Sequence, residues 1–418
     1  MMTEISIRHH VNLILIGFVW LSFALHLWGI RGNLPYAAEI DEPVFVTRAI
    51  RMAATGDLNP RWFGHPGSTL IYPLAGLYHL GRSLVSPGIL LQPDPTLQTA
   101  FKVSPSEFYL FGRYLTIGYA VAGLPLVYHL GRRTFGRPAG LMGAGLTTLP
   151  VIAVAHSQMV RTDSAATFFG LLSLWFCLKV YDRPTLIRFT LAGLSIGLAI
   201  ASRYFMVALV PILLAAAGLA WRQKRTEADW RRVWPGLGLG GLSVGLAFAL
   251  STPYFFLDFQ AALHWIVAEA NDVHIHADGL SPPENLVWYL IHAIPASLTW
   301  PIAGFAALGV AWAGYHRLVR PLLLLGFVVV FLAGLSLSDL HWQRWLIPVL
   351  PLLALFAGHG LVIIGSSLAL HLSWPAAVRR YVGGVLLLLV LVWPVYQVGL
   401  HNLRQSAPVP VCWRERGF

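Results

Sequence analysis

The chain has 418 residues, of which 56% are hydrophobic and 11% charged, with a mean hydropathy of +0.65. That balance excludes a water-soluble globular enzyme and describes an all-α polytopic membrane protein, most of whose surface is solvated by lipid. In a soluble protein the net charge of +11 would suggest nucleic acid, but these arginines cluster between apolar segments, where they report topology, and no nucleic-acid partner is expected.

The first membrane-length apolar segment, 11–30, follows Arg8, His9 and His10. No small-x-small cleavage site follows it, so it reads as an uncleaved anchor. Asp41-Glu42 comes next, then a helical pattern of Val44, Phe45, Ala49, Ile50, Met52 and Ala53 closing at Gly56. A loop through Arg61 and His65-Pro66-Gly67 leads into 68–85, which carries Pro73, His79 and Arg82. Further apolar segments follow at 108–130, 138–156, 164–181, 187–202, 205–221, 235–256, 292–315, 321–337, 345–365 and 381–400.

Loops rich in arginine mark the cytoplasmic side: Arg132-Arg133, Arg183 to Arg188, Arg222 to Arg232, Arg317 to Arg320 and Arg379-Arg380. An even number of crossings must separate each from the next. Parity then removes one of the three apolar stretches before Arg132, and 68–85 is the weakest, so it is expected as an interfacial or re-entrant helix on the outer face. The count is about eleven crossings. The expected organisation is one transmembrane domain over 1–400, with external loops 31–107 and 257–291, and a short external tail, 401–418, too small to fold alone.

On this topology only Glu4, Asp182, Glu227 and Asp229 of the 18 acidic residues fall inside. The outer face therefore holds the chemistry. Asp41-Glu42, the His156 to Asp163 connection, the 257–291 loop and Asp339 to Arg344 all meet there. Paired carboxylates can take a proton from a hydroxyl, and arginines can hold a phosphate. Arginines at helix ends also snorkel to lipid phosphate, and an acid at a helix N-terminus also serves the dipole. His274 and His276 could form a metal pair, although alternate spacing on a loop is weak support for it. Cys177 lies in an apolar segment and Cys412 in the tail, which gives no disulfide framework. No Gly-rich nucleotide cradle occurs, so an activated donor on the outer face must arrive on another carrier.

The ordered series resembles the C-type integral-membrane glycosyltransferases, closest to the dolichyl-phosphate-mannose protein mannosyltransferase superfamily and its aminoarabinose-transferase relatives. It consists of Asp41-Glu42, His65-Pro66-Gly67, Gly112-Arg113-Tyr114, Arg161-x-Asp163, Ser202-Arg203-Tyr204 and Gln343-Arg344-Trp345-Leu346-Ile347-Pro348. Gly67 departs from the family's His-Pro-Pro loop at the third position. The resemblance implies inverting transfer of a sugar from a polyprenyl-phosphate carrier to a lipid, glycan or protein hydroxyl, at the external face of a bacterial inner membrane. It implies Asp41 as base, Glu42 orienting it or the acceptor, and Asp163 across the cleft positioning donor or acceptor. Arg203, Tyr204 and Arg344, with Arg61 and His65, are then the residues for the carrier phosphate. No cofactor is expected, with a divalent ion as the alternative. The rival function is a transporter or flippase of a lipid-linked or anionic solute, which should instead place ionisable groups near the bilayer midplane.

The topology has a direct consequence. In a background without Cys177 and Cys412, a cysteine at Ser86 or Thr99 should react with an impermeant maleimide added outside intact cells. Protection of both would overturn the parity argument.

Overall fold

Lipid offers the backbone no hydrogen-bond partner, so apolar runs of this length must satisfy their own N–H and C=O groups as helices. A computed structural model of the chain describes residues 2–35, 41–85, 96–223, 227, 231–271, 277, 279–338, 340–371 and 376–407. Every regular element among them is helical. His274 and His276, with Asp272, Asp278 and Asp339, lie outside the described residues.

Chain order runs through α1 (Met2–Leu27), α2 (Asp41–Thr55), α3 (Ser68–Val85), α4 (Thr96–Val103), α5 (Pro105–Thr134), α6 (Arg137–Thr147) and α7 (Val151–Ser157). It continues with α8 (Asp163–Asp182), α9 (Leu186–Ser202), α10 (Val210–Gln223), α11 (Val233–Ser251) and α12 (Phe259–Asn271). The remainder is α13 (Pro282–Leu298, including a π-turn at Tyr289–Ala293), α14 (Trp300–Tyr315), α15 (Val319–Ser336), α16 (Leu350–His371) and α17 (Ala376–Ser406). The expected tail therefore begins inside α17.

All eleven expected spans are helical over most of their length, but seven described helices are by themselves long and apolar enough to cross a membrane, and nine if each of two bent pairs counts as one span. The chain is an integral membrane protein on that ground. Two spans expected to be continuous are broken. α6 and α7 meet at 61°, with Pro150 at the break, where proline supplies no N–H and pushes Leu149 out of helical geometry. α13 and α14 meet at 119° about Thr299. α3 is not among the helices apolar enough to span. Its buried face, with Leu70, Ile71 and Leu74, packs with Phe45, Val46 and Ile50 of α2 and Tyr109 of α5 in a core separate from that of the main bundle.

Without a hydrophobic force between helices in lipid, close packing of small residues does the joining. A Cβ added at Gly193 of α9 would lie 2.2 Å from the Gly240 carbonyl oxygen of α11, and one at Gly309 of α14 would lie 2.1 Å from that of Phe356 in α16. Those helices touch backbone to backbone.

α8 carries an acid at each end. At its C-terminus Asp182 accepts from Arg133 Nε of α5 at 2.6 Å and from Arg320 Nε and NH2 of α15 at 3.0 and 2.8 Å. A carboxylate opposes the dipole at a helix C-terminus, and the two guanidiniums offset that while tying three helices together. Replacing Asp182 by Asn should lower stability by roughly 1–2 kcal/mol, because both guanidiniums retain partial access to water. Thermal unfolding in detergent checks this against Glu227→Gln, which removes an exposed Glu227–Arg231 pair and should cost less than about 0.5 kcal/mol.

Candidate active site

Adjacent residues on a helix point about 100° apart, so Asp41 and Glu42 cannot act as one carboxylate pair. The first turn of α2 sends them to different places. Glu42 is fully buried, where Arg113 of α5 donates Nε and NH2 to its two oxygens at 2.7 and 2.8 Å. The Val160 N–H donates to Glu42 Oε1 at 3.0 Å. Arg113 NH1 also donates to the carbonyls of Ile30 and Gly32 at 2.6 and 2.9 Å. One bidentate pair thus fixes α2, α5, the end of the first span and the turn before α8.

Asp41 faces outward with a quarter of its side chain exposed. Its Oδ2 lies 2.6 Å from Arg161 NH2 and 3.7 Å from Arg344 NH2. Burial opposes ionisation of Asp41, but the positive charge of Arg161, then Arg344 and Arg203, holds its carboxyl below the ordinary value. Asp41 is a carboxylate throughout the neutral range.

Asp163, the first residue of α8, lies behind this pair, fully buried. Its Oδ2 is 3.4 Å from Arg161 Nε and its Oδ1 is 3.4 Å from Arg203 NH2. Arg203 caps the break after α9 in extended conformation, and its Nε donates to Thr162 Oγ1 at 3.1 Å. Thr69 and Ser202 hydroxyls, 2.7 Å apart, hold the start of α3 against the end of α9. Arg344 arrives on a single 3-10 turn, its guanidinium 4.6 Å from the Trp342 ring. Three guanidiniums from three separate segments converge on two carboxylates.

His65 borders the cluster, its ring against Trp62 with centroids 5.4 Å apart and its Nε2 3.6 Å from Glu269 Oε1. Burial and the nearby Arg203 push its pKa down to about 4, so it is neutral near pH 7 and its contact with Glu269 is not an ion pair. Gly67, just beyond it, has φ of +57°, and a Cβ there would lie 2.7 Å from Phe45. Proline, locked near φ −65°, cannot take that conformation, which accounts for the departure from the His-Pro-Pro pattern.

Of the residues singled out in the sequence, Asp41, Asp163, Arg203, Arg344 and His65 are thus brought together. Arg61 and Tyr204 turn elsewhere. Arg61 is exposed, with its NH2 2.8 Å from Asp57, and Tyr204 donates its hydroxyl to the Phe63 carbonyl at 3.0 Å, which steadies the His65 loop. Arg161 and Arg113 belong to the quoted motifs but carry no role in them. Arg161 proves to be the hub, 1% exposed at its side chain and in contact with both acids. A basic residue two positions from Asp163, on the face with Asp41, was the available signal. Among the described residues no group of three or more His, Cys, Asp or Glu is arranged to hold a metal ion.

A family model described as dolichyl-phosphate-mannose-protein mannosyltransferase matches residues 113–249, which include Arg161, Asp163 and Arg203. The undecaprenyl phosphate-alpha-4-amino-4-deoxy-L-arabinose arabinosyl transferase of Pseudomonas aeruginosa is 26% identical over 273 residues, 63% of this chain and 48% of the relative. The lipopolysaccharide core galacturonosyltransferase RgtB of Rhizobium johnstonii is 28% identical over 262 residues, 55% of this chain and 48% of the relative. The chain spans about half the length of these curated relatives. Among solved structures, ArnT from Cupriavidus metallidurans bound to undecaprenyl phosphate superposes with a TM-score of 0.58 at 16% identity, covering 93% of this chain and 74% of that one. The Archaeoglobus fulgidus oligosaccharyltransferase tethered with an acceptor peptide gives a TM-score of 0.62 at 12% identity, covering 98% and 57%. The chain therefore has the fold of the C-type integral-membrane glycosyltransferases.

Glu42 is the cleanest structural test of the cluster. Glu42→Gln leaves Arg113 buried against a neutral partner and should cost about 3 kcal/mol or more. Thermal unfolding measures it, and loss of less than about 1 kcal/mol would show that the pair does not hold α2 in place.

Proposed function

We propose that this protein transfers a sugar from a polyprenyl-phosphate carrier to a hydroxyl of a lipid, glycan or protein acceptor, with inversion. The carrying observation is the partly exposed Asp41 carboxylate set against Arg161 and Arg344 at 2.6 and 3.7 Å. The similarity to arabinosyl and galacturonosyl transferases supports the same reading.

In the proposed step the acceptor oxygen attacks the anomeric carbon as its proton passes to Asp41. The bond from that carbon to the phosphate oxygen breaks, and the carrier phosphate leaves with the electron pair. Guanidiniums of Arg161, Arg203 and Arg344 offer planar, charge-assisted donors to the phosphate oxygens. Arriving phosphate would exchange with Asp41 for Arg161, and the carboxylate, less strongly held, becomes the better proton acceptor. Asp163 keeps Arg161 and Arg203 oriented, Glu42 fixes the helix that carries Asp41, and His65 lines the edge. We place this cleft at the external face of a bacterial inner membrane, with α3 lying along that face. The gathering of acids and arginines at the two ends of α8, away from its middle, favours the transferase over a transporter.

Asn fills nearly the volume of Asp but accepts no proton. Asp41→Asn should abolish transfer by the purified protein in lipid while carrier binding, measured separately, is kept or tightened. Arg203→Ala and Arg344→Ala should each lower turnover by at least roughly tenfold, the value of a charge-assisted contact. An Asp41→Asn variant with undiminished turnover would remove Asp41 as the base.

A further inference from the structure

Arg161, the hub of the cluster, rides on residues 158–162, which join α7 to α8 outside either helix. Such a stretch is placed by what its side chains and N–H groups reach. Glu42 holds it at the Val160 N–H, 3.0 Å away. The other anchor is Gln158, itself buried and gripped from the far end of the chain. Its Nε2 donates to the Trp28 carbonyl at 2.7 Å and to Asn402 Oδ1 at 2.9 Å, and its Oε1 lies 3.1 Å from His401 Nε2. Asn402 is fully buried and donates Nδ2 to the Leu25 carbonyl at 2.9 Å.

α17 is otherwise a peripheral helix. Leu388, Val392, Trp393, Tyr396 and Leu403 are each more than half exposed, as lipid-facing positions are. A buried amide in such a helix is costly unless its donors and acceptor are met, and Asn402 commits both ends of its amide to the end of α1 and to Gln158. Three residues on, Gln405 lies against the turn after α1, where a Cβ added at Gly32 would be 2.9 Å from the Gln405 carbonyl oxygen. The Gly32 carbonyl is one of the two that accept from Arg113. α17 thus backs both branches of the cluster, Arg161 through Gln158 and Glu42 through Gly32 and Arg113.

We infer that Asn402 and Gln158 are positioning residues for the transfer proposed above, on which this inference rests: through them α17 sets the place of Arg161 opposite Asp41. Burial lifts the Asp41 carboxyl, and the charge of Arg161 leads those that hold it down, followed by Arg344 and Arg203. Neutral His65 borders the same carboxylate, and Asp163 stands behind Arg161. Loosening Arg161 therefore weakens the hold on Asp41, and the acid limb of turnover against pH moves to higher pH.

The test compares the full chain with Asn402→Leu, with His401→Leu, which removes a less buried contact, and with Leu403→Ala on the lipid face. Turnover in lipid vesicles is followed across pH, and amide hydrogen exchange over 158–163 is followed by mass spectrometry. Asn402→Leu should lower turnover at least about fivefold and move the acid limb up by about half a pH unit or more. Exchange over 158–163 should quicken at least about tenfold, with α15 unchanged. His401→Leu should act in the same direction by less, and Leu403→Ala should leave both readouts alone. Wild-type exchange and acid limb in Asn402→Leu overturn the inference. Exchange that rises equally over α15 also overturns it, because the amide then only stabilises the fold. Should Asn402→Leu not fold, His401→Leu decides on the same terms. A wild-type chain without transfer overturns the proposed function alone, and exchange over 158–163 then decides whether α17 places Arg161.

Discussion

A carboxylate withdrawn from water in a lipid-solvated bundle stays ionised only where guanidinium groups meet it. Among the described residues Glu42, Asp163 and Asp182 are the buried carboxylates, and each joins segments distant in sequence. Glu42 with Arg113 holds α2 on α5, Asp163 with Arg161 and Arg203 closes the turn before α8 on the end of α9, and Asp182 with Arg133 and Arg320 gathers α5, α8 and α15. The apolar contacts between helices are close but nondirectional. These ion pairs give the bundle its register, and one of them positions Asp41 at the mouth of the cleft.

Asp41 differs from the three in being only partly withdrawn. It pairs with Arg161 while keeping a quarter of its side chain open, so the ion pair can be exchanged without leaving a bare charge in hydrocarbon. The same geometry that keeps Asp41 ionised at rest makes it responsive to an incoming anion. A fully buried carboxylate such as Glu42 has no such freedom, since both its oxygens are committed to Arg113.

Helical architecture was legible because a lipid-facing segment shows its apolar run directly. The breaks at Pro150 and Thr299 were not, since an apolar window averages over a bend. Asp41, Asp163, Arg203 and Arg344 could be picked out as rare charges beside apolar segments. What they touch could not. Glu42 and Arg113 are 71 positions apart, and an arginine entering a span reads equally well as one reaching for lipid phosphate. Arg61 and Tyr204 show the converse, because residues near a motif in sequence can be spent on local architecture, here a turn with Asp57 and the Phe63 carbonyl.

α8 is clamped at both ends, by Arg161 and Arg203 at Asp163 and by Arg133 and Arg320 at Asp182. Its 20 residues measure about 30 Å along the axis, close to the hydrocarbon thickness of an ordinary bilayer. A free helix meets a thicker or thinner membrane by tilting, but this one cannot tilt without pulling one acid from its guanidiniums. The bilayer must deform around the protein instead, and α8 becomes a gauge of fixed length. The Asp163 end of α8, with the proposed active site, is thereby held at a set depth relative to lipid headgroups, where the proposed carrier, with its phosphate at the surface and its chain in the hydrocarbon, would meet it.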